Sequence, residues 1–368
     1  MHLFPPATCP RLIVKIGSAL LVEAGGGVRR DWLAGIAADV AERTRAGQQV
    51  AVVSSGAIAL GARRLGLPRG GRASLEDAQA AAAVGQIALS QVWAEMLGGE
   101  ALTAAQILVT LDDLEDRRRY LNAAATLDRL LGLRVVPVLN ENDSVATAEI
   151  RFGDNDRLAA RVAQAAGAQG VVLLSDIDGL YDRNPALPGA VHIARVERID
   201  ARIEAMADRG SASGMGSGGM VSKIAAARIA NAAGAHLAIA SGRIERPLSA
   251  EARHTVFVAE KSAPARKAWL AGGLTARGTI HVDAGAARAL KGGASLLAAG
   301  ATRVEGEFRR GDLVAICDDG GRTLARGLAE YDVEEAGLIT GRRSGDLAEI
   351  LGYVPRAALV HRNHMALL

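Results

Sequence analysis

Residues Val135–Ala163 read VVPVLNENDSVATAEIRFGDNDRLAARVA, and the stretch changes character twice. An apolar run, Val135–Leu139, breaks into Asn140, Glu141, Asn142 and Asp143. After ten more residues a second polar knot, Asp154, Asn155 and Asp156, opens an alanine-rich helical pattern. The short run, rich in valine and closed abruptly by polar residues, predicts a buried strand. The pattern from Arg157 to Ala166 predicts a helix with Asp156 as its N-cap. Acids and amides gathered where a strand ends and a helix begins point to a ligand there, because open α/β sheets bind ligands beyond the carboxyl ends of their strands.

The same alternation runs outward from this stretch. Strands are predicted at Leu12–Ile16, Val50–Val53, Ile107–Val109, Val171–Leu174 and Leu237–Ala240, with helices at Trp32–Arg45 (Asp31 as N-cap), Leu75–Leu97, Leu121–Leu131 and Met220–Ala233. Strands alternating with helices predict an α/β fold, a mostly parallel sheet with helices on both faces. After about residue 260 the helical pieces largely stop. Short β-like runs with turn signals take over, as in GTIHVDAG (278–285) and FRRGDLVAI (308–316). We therefore expect an α/β domain over 1–258, a linker over 259–275 and a small β-rich domain over 276–368.

At 368 residues the chain is too long for one ordinary core, in agreement with two domains. Apolar residues make up 49% and charged residues 23%, the balance of a soluble globular protein. No window is long and apolar enough to span a membrane, and the N-terminus lacks the pattern of a signal peptide. Cys9 and Cys317 form no CxxC pair and read as unpaired thiols in a reducing cytoplasm. The pI near 9.1 invites a nucleic-acid partner. Yet the formal net charge is only +3, aromatic residues are 3%, and residues 276–368 carry 12 basic and 12 acidic side chains. That segment lacks the clustered positive charge and stacking platforms that nucleic-acid binding uses.

Of the 43 basic residues only five are lysine: Lys15, Lys223, Lys261, Lys267 and Lys291. A chain so biased toward arginine keeps lysine where a compact ammonium on a flexible stem is needed. Lys15 stands in KIGSALL, at the tip of the first strand, where a glycine lets backbone N–H groups approach an anion. SSGAIALG, residues 54–61, is a small-residue turn into a helix, suited to a carboxylate or phosphate. In GSASGMGSGGMVSKIAAA, a glycine–serine loop feeds a helix that carries Lys223 near its start, an arrangement suited to a polyphosphate. Asp143 and Asn155 suit a substrate amine and carboxylate, and Asp156 suits a lysine ammonium. A metal site built from Glu141, Asp143, Asp154 and Asp156 is the less favoured alternative, since amides interleave the acids and no His or Cys joins them. The seven histidines lie outside these loops.

Taken in order, VKIGSALL, VVSSGAIALG, VLNENDSVATAEIRFGDNDRLAARVA, LLSDIDGLYDRNP and SGMGSGGMVSKIAAA resemble the amino acid kinase family, in its glutamate-phosphorylating branch. Residues 276–300 and 308–316 resemble the PUA-type β-domain attached to many of those kinases. The resemblance implies a three-layer αβα sandwich plus a PUA-like domain. It also implies ATP-dependent phosphorylation of the γ-carboxylate of L-glutamate, the first step of proline synthesis, with Mg²⁺ bound mainly through ATP. Lys15, Lys223 and Asp156 would be catalytic, the lysines neutralising the transferring phosphoryl group and Asp156 orienting them. Ser55, Asp143 and Asn155 would hold glutamate. Lys15, Ser175, Asp176, Ser217, Gly218, Gly219, Met220, Val221, Ser222 and Lys223 would line the ATP site. SDIDGLY departs from the family pattern, which touches the adenine contacts and not the reaction. A cytoplasmic homo-oligomer, dimer or tetramer, with proline as feedback inhibitor, is also implied. The rivals are another small-acid or phosphate kinase on the same fold and an RNA-binding protein acting through the PUA-like domain.

Overall fold

The computed structural model describes residues 3–23, 27–145, 154–209, 219–259 and 276–368. Its central strands form where the sequence is most continuously apolar. β1 (Arg11–Ile16, RLIVKI) and β5 (Gly170–Ser175, GVVLLS) are buried along nearly their whole length, as parallel strands covered on both faces are. With β2 (Gln49–Ser54), β3 (Ala104–Val109), β4 (Val136–Glu141), β8 (Arg195–Val196), β9 (His236–Ser241) and β10 (His254–Phe257) they make an eight-stranded sheet in the order β3-β4-β2-β1-β5-β9-β10-β8. The first six in that order run parallel, and β10 pairs antiparallel with β9. From β1 the chain builds toward β2, β4 and β3. From β5, on the other side of β1, it builds toward β9. The order thus reverses at the β1/β5 boundary, a position where such sheets bind ligands. A two-residue ribbon, β6 (Leu180–Tyr181) with β7 (His192–Ile193), follows β5.

The helices are α1 (Ser18–Leu21), α2 (Arg30–Arg45), α3 (Ala57–Leu65), α4 (Leu75–Gly99), α5 (Leu111–Glu115), α6 (Arg117–Gly132), α7 (Asp154–Ala166), α8 (Ala201–Arg209) and α9 (Met220–Ala232). Two N-cap expectations are corrected. α2 begins one residue before Asp31, with Arg29 at the cap, and α7 begins at Asp154, which puts Asp156 inside its first turn. In both cases the acid sits inside the first turn, where a helix dipole favours negative charge, and not at the cap itself. α4 is capped as its sequence dictates: the Ser74 hydroxyl accepts from the Asp77 N–H at 3.1 Å. A core of Leu12, Val14, Ile16, Leu33, Ile36, Val52, Leu89, Trp93, Val172 and their neighbours fixes the sheet between its helices.

Gly56, between β2 and α3, has φ +113°, and a Cβ there would stand 3.0 Å from Leu21 Cδ2. The turn that ends β2 therefore depends on glycine. Gly56→Ala is expected to cost about 1–3 kcal/mol in denaturant unfolding; an unchanged midpoint would show that the backbone relaxes freely here.

By its internal contacts the chain divides into one unit of Met1–Asp116 with Asn122–Lys261, and a second of Arg117–Leu121 with Ser262–Leu368. The second unit is strand-rich. β11 (Gly278–Val282), β13 (Ala301–Gly306), β14 (Leu313–Cys317), β15 (Thr323–Leu328) and β17 (Met365–Leu367) form a five-stranded sheet in the order β13-β11-β14-β15-β17, and β12 (Leu296–Leu297) pairs with β16 (Ala358–Val360). Short helices α10 (Ala284–Lys291), α11 (Val333–Ile339) and α12 (Leu347–Leu351) accompany them over a core that includes Ile280, Phe308, Ile316, Tyr331 and Ile339. Apart from Ala259, the expected linker over 259–275 lies outside the described residues. Cys9 and Cys317 are both buried free thiols, and burial pushes the Cys9 thiol up to about 12.

Candidate active site

The carboxyl ends of β1, β2, β4 and β5 present the polar residues that interrupt the apolar pattern. Lys15 is the fifth residue of β1, in register with Val53 of β2 and Leu173 of β5. Its ammonium lies 2.5 Å from Asp156 Oδ1, while Lys223, in the first turn of α9, places its own 3.0 Å from Asp156 Oδ2. One carboxylate therefore holds two lysines drawn from opposite ends of the first unit's sequence. Asp156 has no exposed surface, and Lys15 and Lys223 retain only 8% and 6%.

The electrostatics follow from that geometry. Burial by itself would raise the Asp156 pKa, but the ammoniums of Lys15 and Lys223, by charge and by hydrogen bond, hold the carboxyl below its ordinary 3.8. Burial pulls the Lys15 ammonium below its ordinary range, opposed by Asp156 and reinforced by Lys223. Two ammoniums and one carboxylate, each less than a tenth exposed, leave a net positive charge that suits an anion.

A second group sits beside the first. Asn155, the neighbour of Asp156 in α7, donates from Nδ2 to the Ser55 hydroxyl at 2.7 Å and to Asn140 Oδ1 at 3.2 Å. Its own Oδ1 is buried and has no hydrogen-bond partner among the described residues. Ser55 follows β2 directly, anchored by its N–H to the Ile16 carbonyl at 3.2 Å. Asp143 lies two residues beyond β4, where its charge acts on Arg72, whose pKa burial lowers. Ser175, the last residue of β5, donates to Asp176 Oδ1 at 3.1 Å, and Arg243 stands 3.9 Å from Asp176. Gly219, Met220, Val221, Ser222 and Lys223 form the start of α9, whose N-terminus has no side-chain cap. Ser217 and Gly218 lie outside the described residues. Among the described residues no three His, Cys, Asp or Glu side chains are placed to share a metal ion.

The structure thus gathers Lys15, Asp156 and Lys223 into one cluster and Ser55 with Asn155 into another. Asn140, buried to 2% exposure within the polar knot of β4, was visible in the sequence but without a role. Gln86, which Asn140 meets from α4, was missed altogether; its signal was a lone carboxamide in the apolar helix run AAAAVGQIAL.

A parallel sheet reversing order beside a buried lysine–aspartate–lysine cluster defines a phosphotransferase class, and the family model described as amino acid kinase family matches residues 10–241. The chain belongs to the amino acid kinase family, and a PUA domain model matches residues 278–351. Curated relatives named glutamate 5-kinase are 78% identical over all of both chains in Sphingopyxis alaskensis. In Zymomonas mobilis subsp. mobilis the identity is 62%, over 99% of this chain and 93% of the relative. The chain is accordingly an enzyme of the glutamate 5-kinase group. Among solved structures, carbamate kinase from Giardia lamblia bound to AMP-PNP aligns over 67% of this chain and 98% of its own, at TM-score 0.50 and 13% identity, a likeness of fold alone.

Proposed function

We propose that the first unit transfers the γ-phosphoryl group of ATP to the γ-carboxylate of L-glutamate, giving L-glutamyl 5-phosphate and ADP, the first step of proline biosynthesis. The observation that carries the reading is the pair of buried ammoniums tied to one carboxylate at the sheet's switch point. A carboxylate oxygen of glutamate attacks the γ-phosphorus, a P–O bond forms, and the bond to the β–γ bridging oxygen breaks as ADP leaves. The nucleophile is ionised at neutral pH, since a glutamate carboxyl titrates near ~4.3, so the site needs no general base. Catalysis then rests on position and charge. Lys15 and Lys223 neutralise the equatorial oxygens of the phosphoryl group, and Asp156 fixes both lysines.

The nucleotide site runs through Lys15, Ser175, Asp176 and Ser217–Lys223, where the uncapped start of α9 favours a polyphosphate. Ser55, Asp143 and Asn155 hold glutamate, with Asn155 Oδ1 as a ready acceptor for its ammonium. Both Asp156 oxygens are committed to lysines, so Mg²⁺ would be carried mainly by ATP and would supply charge neutralisation to its phosphates. The reading extends to a catalytic domain over 1–258, a linker over 259–275 and a PUA-like domain over 276–368. It also extends to a cytoplasmic homo-oligomer, dimer or tetramer, inhibited by proline at or overlapping the glutamate site. No helix among the described residues is long and apolar enough to cross a membrane.

The test is ATP- and Mg²⁺-dependent ADP release with L-glutamate, N-acetylglutamate, L-aspartate and UMP, with hydroxylamine present to trap any acyl phosphate. Turnover and hydroxamate with L-glutamate alone are expected. Turnover confined to a different acceptor would leave the phosphoryl-transfer cluster standing and remove the substrate.

A further inference from the structure

Asn155 presents its oxygen, rather than its nitrogen, as the free group of its carboxamide, and a chain of hydrogen bonds beginning on α4 accounts for that choice. The Ser90 hydroxyl spends its single proton on the Gln86 carbonyl at 2.8 Å, so it meets the Gln86 side chain only as an acceptor, here from Nε2 at 3.4 Å. Gln86 must then turn Oε1 toward Asn140, and it accepts from Asn140 Nδ2 at 2.9 Å. Asn140 in turn has only Oδ1 left for Asn155, which donates Nδ2 to it at 3.2 Å and to Ser55 at 2.7 Å. Each carboxamide fixes the sense of the next, and the last leaves Asn155 Oδ1 buried and without a partner among the described residues. Reversing any one link would set two donors or two acceptors against each other in a part-buried network, an unfavourable arrangement for such groups.

We propose that Gln86 is a positioning residue for the acceptor substrate: through Asn140 it holds the Asn155 carboxamide with its oxygen, and not its N–H₂, left unpaired among the described residues, so that the site accepts a hydrogen bond from a cationic amine. This rests on glutamate being the acceptor and names the group that sets preference for its ammonium. Gln86 touches no reacting atom, and it acts on specificity by deciding which end of Asn155 faces the ligand. With the relay cut, Asn155 is free to turn its N–H₂ toward the ammonium, which removes one charge-assisted hydrogen bond and adds a donor–donor conflict.

Gln86→Met keeps the side chain's length and removes both hydrogen bonds; Gln86→Glu keeps an acceptor for Asn140. We would measure KM for L-glutamate and for ATP, and the inhibition constant of glutarate, which carries both carboxylates of glutamate and no amine. For Gln86→Met, KM for L-glutamate is expected to rise about tenfold or more, the effect of one hydrogen bond to a charged group. KM for ATP and glutarate inhibition should stay within about twofold, and Gln86→Glu should restore most of the affinity for glutamate. Equal weakening of glutamate and glutarate in Gln86→Met, or unchanged KM for glutamate, would overturn the proposal. Should Gln86→Met not fold, Asn140→Asp, which can offer Asn155 an acceptor but cannot donate to Gln86 when ionised, is expected to keep the glutamate-to-glutarate ratio within about twofold of wild type; collapse of that ratio would overturn it. Failure of the underlying reading is separate, since wild-type enzyme would then form no hydroxamate from glutamate.

Discussion

Asp156→Asn is expected to lower kcat by about 10³-fold while KM for L-glutamate changes by no more than about threefold. The carboxylate reaches both ammoniums, at 2.5 and 3.0 Å, and it is wholly buried. An asparagine of the same shape can accept from one lysine through its oxygen but turns an N–H₂ group toward the other. The second ammonium then has a donor where it had a charge, and two like charges remain buried without compensation. Removing one member of a buried ion cluster typically costs about 3–5 kcal/mol in stability, so the variant's fold must be checked alongside its rate. Lys223→Ala should show the same signature, with turnover falling far more than glutamate binding, because in the proposed mechanism the lost ammonium acts on the phosphoryl group and not on the acceptor. Turnover of either variant within tenfold of wild type would remove the cluster from the catalytic role.

The pH dependence gives this prediction a second readout. The Asp156 pKa is lowered in the folded state, so its contribution to stability is present above the ordinary value of 3.8 and is lost as pH falls through the lowered one. Wild-type stability should therefore decline in acid more steeply than that of Asp156→Asn, which has no carboxylate to protonate. Across the neutral range Asp156 stays ionised and contributes no titration to turnover. Parallel acid-unfolding curves for the two proteins would argue against the ionised cluster.

Much of this arrangement is legible in the sequence. The apolar runs that became β1, β2, β4, β5 and β9 were plain because parallel strands buried on both faces lose the alternation that makes exposed strands ambiguous. Lys15, Ser55, Asn155, Asp156 and Lys223 stood out because amides, acids and scarce lysines interrupted those runs at their ends. What sequence could not supply was partnership. Nothing in the order of residues says that Lys15 and Lys223, 208 positions apart, share one carboxylate. Nor does it say that α4 brings Gln86 to Asn140, since one carboxamide in a helix usually reads as a surface residue. β8 and β10, two and four residues long, were missed for the opposite reason: such short strands are defined by their pairing rather than by any pattern of their own.

Gly85→Ala is expected to destabilise the first unit by about 3 kcal/mol or more, although it adds only one methyl group to a helix and alanine is the better helix former. The reason lies in how closely α3 and α4 approach. A Cβ on Gly85 would stand 1.7 Å from the Ala57 carbonyl oxygen and 2.6 Å from the Gly61 nitrogen; one on Gly61 would stand 1.8 Å from the Ala81 carbonyl oxygen. All three are backbone atoms, so no side chain can swing aside, and the two helices must move apart as rigid bodies. That separation breaks the packing of Ile58 and Ala62 against Ala78, Ala81 and Ala82. It also shifts the start of α3, next to Ser55, relative to Gln86 on α4, so glutamate affinity should fall together with stability. Gly98→Ala serves as the control. It lies in the last turn of the same helix, nothing stands within 4 Å of its added methyl, and the change should be neutral or stabilising by up to about 1 kcal/mol. Thermal unfolding would separate the two cases, with Gly85→Ala melting roughly 10 °C lower. If both variants melted within about 2 °C of wild type, the close approach of the helices would be wrong. The acceptor site would then need some other rigid support than the α3–α4 pair.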